Sequence, residues 1–395
     1  MRITTIIAAL ALSSVVVVAS MCTEPLSSPS KADELTISAA QQQGGPKGGP
    51  KIKSVKIAPS SASVAVGASV QLTATTSPAT ATSFVWTTSN SSVATVSQTG
   101  LVTGAAPGTA TVSASAGGKT GTSAITVTTT VPPGSVVFVG AGDIASCSST
   151  GDEATATLLD GISGTVFTLG DNAYETGSVA EFSGCYDPSW GRHKARTRPA
   201  PGNHDYGTAG AAGYYGYFGS AAGDPSTGYY SYDIGEWHII ALNSNLANGT
   251  GSTQEQWLRA DLAASTKSCT LAYWHHPRFS SGLEHGSDPT LQPLWQALYD
   301  ANADVILSGH DHDYERFAPQ TPAGVADAAL GIREFVVGTG GRSHYSLGTV
   351  KANSEVFNGT TYGVLKLTLA PGSYTWQFVP VSGGIFTDSG TGTCH

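Results

Sequence analysis

Between Val136 and His312 the chain repeats one pattern five times: a short apolar run that stops on a side chain able to hold a metal ion. VVFVGAG stops at Asp143, and TVFTLG stops at Asp171 with Tyr174 three residues on. The segment from Arg198 to Gly202 leads into Asn203, His204 and Asp205. TLAYW stops at His275 and His276, and ADVILSG stops at His310, Asp311 and His312. Short apolar runs read as buried strands, and in open α/β sheets ligands collect beyond the carboxyl ends of the strands. The five tips are therefore expected to converge. Helices are predicted between them. One lies around Glu153 to Leu159, and a second starts at a Ser252-to-Glu255 capping box ahead of Trp257, Leu258 and Leu262. A third carries Leu291, Leu294, Trp295, Leu298 and Tyr299 at helical period.

A single Gly-Asp is usually a turn and a single His usually a core residue, so each tip alone says little. Together, two Asp, one Asn, three His and one Tyr make a mixed oxygen and nitrogen donor set. That is too many for one tetrahedral ion and suits two hard or borderline ions.

The motifs GD (142–143), GDNAY (170–174), GNHD (202–205), HHP (275–277) and GHDH (309–312) resemble the ordered set of calcineurin-like metallophosphoesterases. Tyr174 after Asp171 narrows the resemblance to the purple acid phosphatase type. LGDNAYETG is similar to the small mammalian-type members, and GHDHDYER to the large plant-type members. The resemblance implies an α/β metallophosphatase sandwich, two mixed β-sheets flanked by helices, over residues 135–395. It further implies two metal ions. Asp143, Asp171, Tyr174 and His312 would hold Fe(III), Asp171 would bridge, and Asn203, His275 and His310 would complete a site for Fe(II), Zn(II) or Mn(II). A phenolate suits a hard trivalent ion, which is the physical reason to expect iron beside Tyr174. His275 rather than His276 is the expected ligand, because the family pattern sets it two residues before the proline.

Two such cations lower the pKa of a shared water and deliver hydroxide to phosphorus, and the leaving alkoxide then needs a proton. His204, next to Asn203, is the expected acid, and His285 in LEHG resembles the second substrate-side histidine. His276 and Arg278 are candidate substrate contacts, with packing and a surface ion pair as their alternatives. The basic run Arg192, His193, Lys194, Arg196 and Arg198 reads as a solvated loop or an attractor for anions. Ile144-Ala145 stands where purple acid phosphatases often have a second glycine, and Gly207–Gly228 is a candidate specificity loop.

Ahead of this domain, residues 54–130 alternate apolar and polar: Val64 and Val66; Val70, Leu72 and Ala74; Phe84 and Trp86; Ala110, Val112 and Ala114; Ile125 and Val127. Period two with Gly, Pro, Ser and Asn turns predicts an antiparallel all-β sandwich. SVAVGASVQLTAT, VWTTSNSSVATVSQTGLVTG and GTATVSAS resemble a bacterial Ig-like domain of group 2. Such a module is a spacer or a contact to cell wall or glycan.

Arg2, the apolar run Ile6–Val18 and Val18-Ala19-Ser20 have the layout of a signal peptide over residues 1–20, too short for a membrane span. Cys22 opens a second reading, a lipid-anchored protein, although Met21 is bulky for that signal. Residues 21–53, with their repeated Gly-Gly-Pro-Lys, read as a flexible linker. Export puts Cys147, Cys185, Cys269 and Cys394 in an oxidising compartment, an even set suited to two disulfides. Spacing does not decide the pairing; Cys147 with Cys185 and Cys269 with Cys394 is the preferred choice.

A charged fraction of 12% with 48 Gly fits an extracellular β-rich protein. Net charge −9 argues against nucleic-acid binding. The expected activity is hydrolysis of small phosphate monoesters by a secreted or surface-attached enzyme. A phosphodiesterase or phospholipase-D-like hydrolase on the same site is the alternative, and an adhesin acting through the Ig-like part is the alternative of another class.

Overall fold

The structure, a computed structural model, describes residues 51–66, 68–79, 83–128 and 132–395. The expected signal peptide, Cys22 and nearly all of the linker lie outside the described residues. No helix among those described is long and apolar enough to cross a membrane.

The N-terminal module is a β-sandwich. Its largest sheet orders strands Ser61–Ala65, Lys119–Thr128, Gly108–Ala116 and Val85–Thr88, and a three-stranded sheet orders Ser69–Gln71, Leu101–Gly104 and Ala94–Val96. Pairing is antiparallel except where Ser61–Ala65 runs parallel to Lys119–Thr128. The alternating residues fill the core as their period demands: Val64, Leu72, Trp86, Ala110, Val112, Ala114, Ile125 and Val127 are buried. Val66 is not; it lies past the end of its strand and is 41% exposed. The module includes residues ahead of Ser54, because Ile52 packs on this core and Lys53 N donates to Ser77 O.

The C-terminal domain stacks two mixed sheets. The first orders Thr197–Ala200, Thr165–Leu169, Val136–Ala141, Gly363–Ala370, Ser373–Pro380 and Ser389–Thr393. The second orders Tyr230–Ile234, Trp237–Ala241, Cys269–Tyr273, Val305–Ser308, Arg333–Val337, Tyr314–Phe317 and Ser354–Asn358. The tip-bearing strands are parallel to their tip-bearing neighbours in each sheet, so their carboxyl ends point the same way.

Alternation along one strand shows how the layers form. Leu271 and Tyr273 enter the core between the sheets, where Tyr273 meets Phe138 and Phe167 of the other sheet with ring centres 5.9 and 6.4 Å apart. Ala272 and Trp274 face the other way, under Leu258 of helix Thr253–Ala264 and Leu294, Trp295 and Leu298 of helix Gln292–Asp300. Each such fully buried side chain contributes about 1.5–3 kcal/mol. A continuous apolar run is what burial on both faces requires. The Ser252 cap forms, with its hydroxyl accepting from Glu255 N, but the Glu255 carboxylate accepts from Gly251 N instead of closing the expected box.

Cys147 is joined to Cys185 and Cys269 to Cys394, with Cα separations of 5.1 and 5.5 Å. The second bond spans 125 residues and fastens the start of a central strand to the C-terminal segment. In the chain-entropy model such a loop removes roughly 4–5 kcal/mol of unfolded-state freedom.

On the strand Trp237–Ala241, His238 is pinned between two carboxylates, Nδ1 to Asp233 at 2.9 Å and Nε2 to Asp261 at 2.8 Å. Burial opposes its charge, yet the two carboxylates prevail and raise its pKa. A raised folded-state pKa gives stability that is full below the unfolded value and lost as pH climbs through the folded one. His238→Gln is therefore expected to lower the melting temperature more at about pH 5 than at about pH 9. Equal losses at both would refute the clamp.

Candidate metal centre

All five strand tips meet. Tyr174 Oη stands 2.8 Å from Asp143 Oδ1, 3.1 Å from Asp171 Oδ2 and 3.1 Å from His312 Nε2. His275 Nε2 stands 3.2 Å from Asp171 Oδ2, 3.0 Å from Asn203 Oδ1 and 3.1 Å from His310 Nδ1. Asp171 Oδ2 is thus shared by two groups of donors, one around Tyr174 and one around His275.

The local backbone explains the motif glycines. Asp143, Asp171 and His310 adopt left-handed conformations, with φ of 60, 49 and 71°, which turn each side chain off the end of its strand. Such conformations are costly for residues with a Cβ and persist where the surroundings fix them. The glycines let neighbouring tips touch. A Cβ on Gly202 would overlap the Asp171 carboxylate, and one on Gly309 would come within 2.6 Å of Asp143 Oδ2.

The donor atoms have too few protons between them. His275 Nδ1 donates to Leu169 O at 2.7 Å, so its Nε2 carries a lone pair toward Asn203 and Asp171 oxygens unless the ring is charged. One phenolic proton on Tyr174 faces two carboxylates and an imidazole. Among the described residues, Asp143, Asp171 and His275 offer ligand atoms within 4.8 Å of one another, as do His275, His276 and His310. Convergent acceptors of this kind fit cations, and the mixed set fits a pair of them.

Titration follows the same crowding. Burial works against the charged form of His275, but the Asp171 and Asp143 charges hold it up at about 9. Burial also pushes the Tyr174 phenol well above its usual range, and both aspartates add to that. His276 falls to about 4 through burial and the His275 charge. Asp205 rises to about 7 through burial and the Asp171 charge; it accepts from Gly202 N at 2.8 Å and from Asn172 Nδ2 at 2.9 Å, bracing two motifs at once.

Around the donors sit the other expected residues. His204 is half-buried, its N–H donating to Asp171 Oδ1 at 2.8 Å and its Nδ1 meeting Glu175 O at 2.6 Å. His285 is exposed and stacks on His310 with ring centres 4.0 Å apart. His276 lies 4.3 Å from the His310 ring and bonds Ser244 Oγ through Nδ1. Arg278 is not brought into the cluster: its guanidinium donates to Pro322 O and lies over Phe279. Arg192 is committed to Glu153 and Asp160 rather than to an anion path.

Three further residues, outside the predicted donor set, support the site. Asp311 accepts from His285 N and Gly286 N, fixing the loop that carries His285. Ser343 Oγ meets His312 Nδ1 at 2.6 Å, and Tyr345 stacks on His312 at 4.0 Å. The run EFVVGTGG, ending ahead of Arg342, has the shape of a sixth strand tip, but it stops on glycine instead of a ligand.

Residues 137–314 match the calcineurin-like phosphoesterase family, and residues 51–129 match the bacterial Ig-like domain (group 2). The C-terminal domain belongs to the calcineurin-like phosphoesterases. Within them its relatives include purple acid phosphatases. Purple acid phosphatase 15 of Arabidopsis thaliana is 34% identical over 100 residues, 24% of this chain and 19% of that protein. Purple acid phosphatase 22 of the same plant is 35% identical over 94 residues, 22% of each. The aligned stretches span about a fifth of these relatives' length. The structure of purple acid phosphatase PPD1 from yellow lupin (Lupinus luteus) seeds shares the fold at TM-score 0.52 and 18% identity, covering 82% of this chain and 67% of that one. The family implies a dinuclear metal centre.

Gly202→Ala is expected to displace Asp171 and lower metal affinity by about tenfold or more. Metal analysis after dialysis against a graded chelator checks this; full retention by the variant would contradict the close approach.

Proposed function

We propose that the chain is a metal-dependent phosphoric ester hydrolase acting on phosphate monoesters outside the cytoplasm. The observation that carries this reading is the meeting of seven oxygen and nitrogen donors around the buried Asp171 carboxylate. Asp143, Asp171, Tyr174 and His312 would hold Fe(III), and Asn203, His275 and His310, sharing Asp171, would hold Fe(II), Zn(II) or Mn(II). Bound there, two cations supply the Lewis acidity that lowers the pKa of water and offsets phosphoryl charge.

The chain's own residues orient and protonate. Leu169 O and Ser343 Oγ fix the rings of His275 and His312. A carbonyl oxygen only accepts, so His204 Nδ1 keeps its proton on Glu175 O, and Nε2 is the nitrogen left to hand a proton to a leaving alkoxide. His285, held by Asp311 and stacked on His310, is placed to orient a phosphoryl oxygen. His276, neutral because burial lowers its pKa to about 4, can donate a hydrogen bond there without adding charge. Action outside the cytoplasm agrees with two disulfides.

Metal content, visible absorption and rates on p-nitrophenyl phosphate and bis(p-nitrophenyl) phosphate test the reading together. Expected are two metal equivalents including iron, a visible band lost in Tyr174→Phe, and faster turnover of the monoester. Faster turnover of the diester would overturn the monoester assignment, and a metal-loaded protein inert on both would overturn hydrolysis itself. His204→Ala should cut kcat by about 10²-fold or more for alkyl phosphates and much less for p-nitrophenyl phosphate, whose leaving group needs little proton.

A further inference from the structure

Arg342 reaches the cluster from the loop after strand Arg333–Val337. Its N–H donates to Asp143 O at 3.0 Å, and its guanidinium carbon lies 5.1 Å from the Tyr174 ring centre. Its Nη2 donates to Glu175 Oε1 at 2.6 Å, and the backbone carbonyl of that same Glu175 accepts from His204 Nδ1. Glu175 therefore ties Arg342 to the side of the cleft where His204 would meet a leaving group.

The backbone of this tie is held by hydrogen bonds, and its side chains meet solvent. The Glu181 carboxylate accepts from Glu175 N, Thr176 N and Ser178 N at 2.5, 3.1 and 2.8 Å, which pins the turn. The Arg342 and Glu175 side chains are 27% and 56% exposed. An ion pair so exposed is screened by water and contributes little to stability. Among the described residues no other protein acceptor bonds the Arg342 guanidinium. A phosphate offers that fork two parallel charge-assisted bonds, which are stronger than one contact to a hydrated carboxylate.

We infer that Arg342 is a specificity-determining residue that grips a second phosphate on the leaving group, with Glu175 as the internal counter-ion this phosphate displaces. Preferred substrates then carry a phosphate next to the scissile one. Water's oxygen bonds to phosphorus and its released proton passes to solvent, the bridging P–O bond breaks, and the departing phosphate takes a proton from His204 or solvent. The inference rests on the hydrolase reading above and on His204 marking the leaving-group side.

The test compares kcat/KM for pyrophosphate and p-nitrophenyl phosphate in the full metal-loaded chain, and measures methylenediphosphonate binding by calorimetry as a readout free of turnover. Arg342→Gln is expected to lower the pyrophosphate-to-aryl ratio by about tenfold or more, through KM, and to weaken methylenediphosphonate comparably. Arg342→Lys, which keeps charge but not the fork, should fall between. Glu175→Gln should raise the ratio by about two- to fivefold. Metal content and melting temperature accompany each variant, so that a lost centre is recognised and Arg342→Lys then decides. An unchanged ratio in an active wild-type background, or a lower one in Glu175→Gln, overturns the inference alone. A wild-type chain inert on both substrates overturns the hydrolase reading instead.

Discussion

The centre depends on where Asp171 is held. One of its oxygens takes the His204 N–H, and the other faces Tyr174 Oη and His275 Nε2. The carboxylate is 1% exposed, and burial alone would push its pKa up. The neighbouring His275 and His204 charges pull it below the usual carboxylate range. A buried anion with Asp143 and Asp205 close by is tolerable only with positive charge alongside it. Imidazolium can supply that charge in part and cations in full, so the same placement that makes the site costly suits it to metal ions.

The fold holds Asp171 by over-determination. Its strand, Thr165–Leu169, is flanked by Val136–Ala141 and Thr197–Ala200, both parallel to it, so three tips are set side by side by one ladder. The second sheet delivers His275, His310 and His312 from the facing side, and Phe138, Phe167 and Tyr273 lock the two sheets together. Left-handed conformations at Asp143, Asp171 and His310 cost roughly 1–2 kcal/mol each in isolation. Cross-tip bonds offset that cost: His310 N donates to Asp143 Oδ2, and Asp143 N to Gly170 O.

This geometry explains what the sequence could and could not disclose. The convergence of Asp143, Asp171, Asn203, His275 and His310 was legible because each sits where an apolar run stops, so strand and donor are adjacent in the chain. Arg342, Ser343 and Tyr345 were not, because their run stops on glycines and their roles arise from contacts across more than thirty positions, as between Ser343 and His312. Arg278, read as a substrate contact or a surface ion pair, follows the HHP motif closely, yet the backbone turns there and the Glu334 carboxylate binds Arg278 N and Phe279 N, leaving the guanidinium beside Phe279. In the β-sandwich, alternation identified the core, while Val66 kept the period past the end of its strand and so missed burial.

Floor and rim of the cleft obey different physics. Asp143, Asp171 and His275 are almost wholly excluded from water, where charges interact strongly and a change at one shifts the others, as Asp171 does to Asp205. His204, His285, Arg342 and Glu175 keep contact with solvent, where each interaction is worth little and partners exchange readily. Chemistry that needs fixed, unscreened charge belongs on the floor; discrimination among leaving groups belongs on the rim. Since Glu175 and His285 sit on loops anchored by backbone bonds to Glu181 and Asp311, their side chains can change without moving the strand tips beneath. Substrate preference can therefore diverge among chains that share this floor.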